Sequence, residues 1–316
     1  MHRTVFLLTA LLGIHCTDGP SNETPDQGST PYPDLSMPPA ACRADAWCRV
    51  STPSQSTLYG VWGTDASNIW AVGASGTVLK WNGSAWSAQP SGTTQDLRSV
   101  WGTDANNVWA VGRAGTVLKW NGSTWAAQQS GTPNSLQAVW GTGASSVWAV
   151  GLNGTILKWN GTAWAVQPSG TMETLYSVAG TDANSVWVVG LGGTILYWNG
   201  GAWAVQPSGT NKFLLSVWGT AGGNAWAVGE GGQILRRGMS WMTQPSGTTS
   251  GLASVFGTDA NSVWAVGDRG TILKWDGATW TAQPTDVPQD LFGVWGSAPG
   301  NLWAVGGGGL VLHKAQ

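Results

Sequence analysis

Residues 97–135 read LRSVWGTDANNVWAVGRAGTVLKWNGSTWAAQQSGTPNS. Short Val, Trp and Leu runs are separated by Gly, Asn, Asp, Ser and Thr. No helical apolar period, about 3.6 residues, passes through the stretch. This is strand and turn chemistry. It predicts four strands, A to D, around 97–102, 107–112, 116–120 and 124–128. The A–B turn holds TDAN, whose Asp can accept backbone amides two residues on. The C–D turn holds Asn-Gly, a strong hairpin signal because both residues tolerate positive φ.

The unit repeats. Aligned on Val-Trp-Gly, the Val falls at 61, 100, 139, 178, 217, 255 and 294, at spacings of 39, 39, 39, 39, 38 and 39. Periods near forty with four short apolar segments signal a β-propeller rather than a helical array. All 24 Trp lie in the repeat. Strand B carries one in every unit: Trp70, Trp109, Trp148, Trp187, Trp226, Trp264 and Trp303. A blade cannot bury both faces alone, so a large indole at a fixed place fills the wedge between neighbours. The last unit ends at strand C, while Trp47 precedes Trp62 as Trp86 precedes Trp101. The segment around Trp47 is therefore expected as strand D of the last blade. The expected fold is an all-β, seven-bladed propeller of four-stranded blades, spanning 42–316 and closed by its N-terminal strand. Closure leaves no open sheet edge between first and last blades.

The consensus NVWAVGxxGTxLKWNGxxWxxQxSGT resembles two propeller families over residues 47–314. One is the BNR or Asp-box group, which includes photosystem II assembly-factor-like propellers. Asp276 keeps the acid of that box, whereas Asn82, Asn121, Asn160 and Asn199 replace it elsewhere. The fifth unit loses a residue around Arg237-Gly238. The other family is the tectonin propellers, several of which are lectins. Propellers host many unrelated functions, so neither resemblance carries one across.

Ahead of the repeat, Arg3 precedes an apolar run from Val5 to Ile14. The run is too short to span a bilayer and suits a signal peptide over 1–16. LLGIHC, ending at Cys16, resembles a bacterial lipoprotein signal, in which the Cys is lipidated. His15 stands where that signal has a small residue, and ordinary cleavage nearby is the alternative. Residues 17–41, rich in Pro, Ser, Thr, Asp and Gly, read as a flexible tether. The expected location is the cell surface as a lipoprotein, or the periplasm or medium. Membrane attachment is expected only through a lipid at Cys16. In an oxidising compartment Cys42 and Cys48 can close a small disulfide loop, or remain a free pair.

Lys and Arg number 14 against 16 Asp and Glu, and charged residues are 9% of the chain. That excludes the dense basic surface a nucleic-acid binder needs. After the signal, His313 is the one remaining His, and it stands where other units have Lys80, Lys119, Lys158 or Lys274. It reads as a surface strand position. No Ser–His–acid arrangement and no metal-ligand cluster is legible, and no cofactor is expected. Glu230 and Asp268, in equivalent turns of adjacent units, are the one carboxylate pair to test for glycoside cleavage.

Differences between units mark the functional candidates. The B–C turn varies inside VGxxGT, and so does the D–A connection. Strand alternation puts both on one rim. That face gathers Asp96, Arg98, Arg113, Glu173, Tyr176, Lys212, Phe213, Glu230, Asp268, Arg269, Asp290 and Phe292. Variable loops on a rigid scaffold are where binding concentrates. The expected function is a non-catalytic, exported, monomeric binding or scaffold module for a protein partner. The alternatives are a lectin stacking sugars on exposed Trp and Tyr, and a glycan-cleaving enzyme.

Overall fold

A computed structural model of the chain describes residues 46–220 and 223–315. These residues lie within the compact unit Pro39–Gln316 and form seven four-stranded antiparallel sheets. Each sheet is a blade whose strands run A, B, C, D from one edge to the other. The A strands of blades 1 to 7 open on Leu58, Leu97, Leu136, Leu175, Leu214, Leu252 and Leu291.

Blade 2 consists of Leu97–Asp104, Asn107–Gly112, Val117–Trp120 and Trp125–Ala127. Strand A runs past residue 102 because Asp104 pairs with Asn107 across a bulge. Strand C starts later than expected, since Thr116 closes the B–C turn instead. Its N–H donates to Arg113 O at 3.0 Å. The A–B turn behaves as read: Asp104 Oδ1 accepts the Asn106 amide at 2.8 Å. That bond, first, holds the Asp104 carboxyl below its usual range. The C–D turn does not. Trp120 pairs with Trp125, leaving a loop of four residues in which Gly122 alone has positive φ, +100°. Asn121 acts through its carboxamide, accepting the Ser123 and Thr124 amides at 3.0 and 2.9 Å. A carboxylate does this equally well, and Asp276 accepts Ala278 and Thr279 at 2.9 Å each.

Blades are joined by indole wedges. Trp109 is 1% exposed, and its ring lies 4.9 Å from Trp159 and 5.3 Å from Trp164 of the next blade. Lys119 Nζ, on the paired strand, sits 4.8 Å from the Trp109 ring. This ammonium-on-indole contact repeats at Lys80–Trp70 and Lys158–Trp148.

The ring closes as expected. Strand Cys48–Arg49 pairs with Val311–Ala315, Cys48 facing His313 and Arg49 facing Leu312. Trp47, 7% exposed, packs edge-on against Trp264 of blade 6 with centroids 5.7 Å apart. Cys48 is disulfide-bonded. Cys42, the signal segment, Cys16 and the tether lie outside the described residues.

His313 is half-buried rather than a surface position, because it takes the place of the lysine lid. It stacks on Trp303 at 4.0 Å, and its Nε2 lies 2.7 Å from Asn301 Oδ1. Burial pushes the imidazole below its ordinary value of 6.5. The unfolded chain therefore takes up the proton first as pH falls. Stability contributed by the neutral ring is complete above 6.5, declines below it, and levels off once the folded form is protonated. Melting temperature followed from pH 7 downward is expected to show this decline. His313→Phe is expected to flatten it, and an unchanged slope in that variant refutes the assignment.

A strands surround the axis and touch one another between blades. Ser99 Oγ accepts the Val139 amide of the next blade at 3.2 Å, and Ser177, Ser216 and Ser254 do the same for Val217, Val255 and Val294. Those amides sit on the inner sheet edge, where an unpaired N–H is costly. The clasp locks the inner ring that carries the site.

Candidate binding face

The B–C turns and D–A connections do share one rim. Arg113 N donates to Asp96 O at 2.9 Å, Glu230 N to Phe213 O at 3.0 Å, and Asp268 N to Gly251 O at 3.0 Å. In each case a B–C turn leans on the connection that leads into its own blade. The second variable residue of the turn is left-handed: Ser75, Ala114, Asn153 and Arg269 have φ of 53°, 52°, 55° and 54°. Glycine takes that position in blades 4, 5 and 7, as Gly192, Gly231 and Gly308.

This rim has a second layer that sequence reasoning missed. Every A strand slips register straight after its opening Leu, as between Leu58 and Gly60. The residue in the slip drops out of strand alternation and is half-buried in all seven blades: Tyr59, Arg98, Gln137, Tyr176, Leu215, Ala253 and Phe292. Bulges re-aim side chains next to functional sites. Here they place one side chain per blade at the inner end of the variable rim, where the A strands ring the axis. Arg98, Tyr176 and Phe292 are legible from their rarity. Tyr59, Gln137, Leu215 and Ala253 are not, although one sign was available: between a constant Leu and a constant Val, this column carries six residue types in seven units, beside a position that is always Gly, Ala or Ser.

Three of these side chains form one cluster. The Tyr59 and Phe292 rings are 5.7 Å apart, and the Arg98 guanidinium lies 4.2 Å from the Tyr59 centroid. Asp96 is shared: its Oδ2 is 3.3 Å from Arg98 and 3.0 Å from Arg113. Asp96 Oδ1 also accepts the Ser75 amide of blade 1 at 3.0 Å. Blades 7, 1 and 2 thus carry a continuous aromatic and cationic arc. Elsewhere on the rim, Tyr176 is half-buried, and burial, aided by Glu173, raises its phenol above the ordinary value. Burial also raises the Asp268 carboxyl, with Asp290 adding to the rise.

The catalytic alternatives gain no geometry. Glu230 Oε2 accepts Phe213 N at 3.4 Å, and Asp268 Oδ2 accepts Gly251 N at 3.0 Å. Each carboxylate is turned onto its own blade. Arg113 is paired with Asp96 in blade 2, while Arg269 Nη2 lies 3.5 Å from Ser250 Oγ in blade 6. Among the described residues no group of three His, Cys, Asp or Glu side chains is placed to hold a metal ion. The lectin alternative counts on exposed Trp and Tyr, whereas every described Trp and Tyr is buried or half-buried. The indoles are consumed by the wedges.

No protein-family model matches the chain, and no curated protein matches it in sequence. Solved structures share its fold. YCF48 bound to a D1 peptide superposes with a TM-score of 0.73 at 20% identity, covering 89% of this chain and all of that one. YCF48 from Cyanidioschyzon merolae gives 0.72 at 18% identity, covering 85% and 99% of the two chains. The WD40 propeller domain of Doa1 gives 0.72 at 14% identity, covering 86% and 96%. At these identities the likeness is one of fold.

Proposed function

We propose that this protein is a non-catalytic binding or scaffold module that takes a protein partner on the B–C/D–A face, anchored at the inner end of that rim. The observation that carries the reading is the bulged column. Seven identical register slips present six different kinds of side chain at one place. The backbone device is constant and the side chains are diverse, as expected of a surface matched to one irregular partner. Tyr, Phe and Arg, clustered at Tyr59, Phe292 and Arg98, are residue types that supply interface anchors. YCF48, of the same architecture, has been solved with a D1 peptide bound, and a segment of polypeptide is the partner class we favour here. Export through residues 1–16 and lipidation at Cys16 complete the proposal. They are checked by the mass of the mature N-terminus from the native host, and an intact Met1 there refutes both.

The functional test is capture of partners from the native envelope with the full-length protein. Tyr59→Ser combined with Phe292→Ser is expected to lower capture at least ~10-fold, since hot-spot truncations cost ~2 kcal/mol or more. Ser123→Arg, on the opposite rim, is expected to leave capture unchanged. Loss in the Ser123 variant with retention in the double variant would place the interface on the other face.

A further inference from the structure

The B–C turns bring a backbone N–H to the same place in successive blades. In blade 1 it belongs to Ser75 and is held by the Asp96 carboxylate at 3.0 Å. In blade 6 it belongs to Arg269 and is held by Asp290 at 2.8 Å. In blade 2, Ala114 N donates to Ser135 Oγ at 3.2 Å. In these three blades the acceptor comes from the residue just before the Leu that opens the next blade. The chain thus shows twice over that this turn amide binds a carboxylate.

Blade 5 has no such acceptor. Its turn residue is Gly231, with φ of +60°, and the residue in the acceptor position is Gly251, which has no side chain to offer. A cation stands there instead. Lys212 Nζ is 3.5 Å from Gly231 O, and 3.1 Å from where a Cβ on Gly231 would lie. A groove of about 610 Å³ opens at this point, lined by Lys212, Gly231, Gly232, Thr243 and the connection 244–249. The equivalent groove of blade 3, about 580 Å³, is lined by Asn134 and Asn153, bonded to each other at 3.2 Å, and by no cation. The carboxylates of this turn and of its blade 6 counterpart are occupied: Glu230 by Phe213 N and Asp268 by Gly251 N.

We infer that the blade 5 turn binds a carboxylate supplied by the partner: one oxygen accepts the Gly231 N–H, and the other faces the Lys212 ammonium. This rests on the reading that the face takes a protein partner, and it names the chemistry at one point of contact. A carboxylate fits because the in-chain acceptors at the two equivalent turns are carboxylates. It can come from an Asp or Glu side chain or from a free chain terminus.

The test uses the full-length ¹⁵N-labelled protein and reads the Gly231 amide. One probe is N-acetylated, C-amidated Ala-Glu-Ala, which offers a side-chain carboxylate. The other is N-acetylated Ala-Ala-Ala with a free terminus, and amidated Ala-Gln-Ala is the neutral control. A saturable Gly231 shift is expected with a Kd of roughly 1–10 mM, as for a single weak contact. The probe that gives it identifies the source, and the control gives none. Lys212→Ala is expected to weaken it at least five-fold. Gly251→Asp is expected to abolish it, by installing the internal carboxylate that blades 1 and 6 carry. A Cβ at 251 would stand 2.7 Å from Asp268 Oδ2, so Gly251→Asp is also made with Asp268→Ala to give it room. No Gly231 shift from either acidic probe up to about 50 mM, or an equal shift in Lys212→Ala, overturns the inference. Neither result touches the Tyr59–Phe292 anchor, which the capture assay tests separately.

Discussion

A chain lacking residues 46–52 is expected to lose its ring: a lower urea midpoint, and the appearance of aggregates in size exclusion. Three terms combine. Trp47 leaves the cluster it forms with Trp264, Val266, Leu310 and Leu312. Truncating a buried Trp costs ~3–5 kcal/mol by itself. The outer edge of Val311–Ala315 loses Cys48, Arg49 and the 2.9 Å bond from Val50 N to Val311 O. An unpaired edge is also a template for another chain, which is why aggregation accompanies the loss. Domains are stable by only ~5–15 kcal/mol, so the deletion takes a large share. Trp47→Ala isolates the packing term and is expected to remove ~3–5 kcal/mol with pairing intact. A deletion variant with the elution volume and midpoint of the full chain would show that the ring does not depend on this strand.

Gly112→Ala is expected to damage fold and face together. Gly112 ends strand B of blade 2 with φ of −168°, an extended conformation open to any residue. The constraint is space. A Cβ there falls inside the contact distance of the Asp96 carbonyl oxygen and stands 2.9 Å from Leu97 Cα. Both obstacles are backbone, so neither can rotate away. Relief requires the B–C turn to lift off the D–A connection, breaking the 2.9 Å bond from Arg113 N to Asp96 O. That also disturbs the Asp96 link to Arg98 and Arg113. A cost of about 3 kcal/mol is expected, at the upper end for overpacking. Partner capture should fall with it. Gly131→Ala supplies the contrast: Gly131 has φ of +75° and nothing within 4 Å of the added atom. Only the left-handed backbone then matters, at ~1–2 kcal/mol. Equal midpoints for Gly112→Ala and the wild-type protein would refute the steric account.

The same seven-fold clash explains the column of glycines that ends strand B in every blade. Gly73, Gly151, Gly190, Gly229, Gly267 and Gly306 each meet the carbonyl of their own D–A connection in the same way. Period and composition announce a turn just after that column. That the turn packs on a segment about fifteen residues upstream is a tertiary fact. The C–D turn is a parallel case. Asn-Gly correctly marks the hairpin, but Asn121 serves as an acceptor through its side chain rather than as a residue of positive φ.

Blade number, strand order, the composite last blade and the shared rim were legible because each follows from a period and an alternation, which are properties of the chain as written. The indole column at Trp70, Trp109 and their equivalents needed only bulk at a fixed spacing. The site was half legible. Arg98, Tyr176 and Phe292 stand out by type, but strand alternation gives no reason to group them with Tyr59, Gln137, Leu215 and Ala253. Leu58 and Val61 are both buried although three residues apart, and only the register slip between them turns Tyr59 toward the rim. Where a slip falls depends on the partner strand and on the A strands of adjoining blades, clasped by Ser99, Ser177, Ser216 and Ser254. Those contacts cross tens of residues of sequence. The repeat alone therefore determined the ring. Which side chains meet on it, and which turn amides lack an acceptor of their own, was decided when neighbouring blades came into contact.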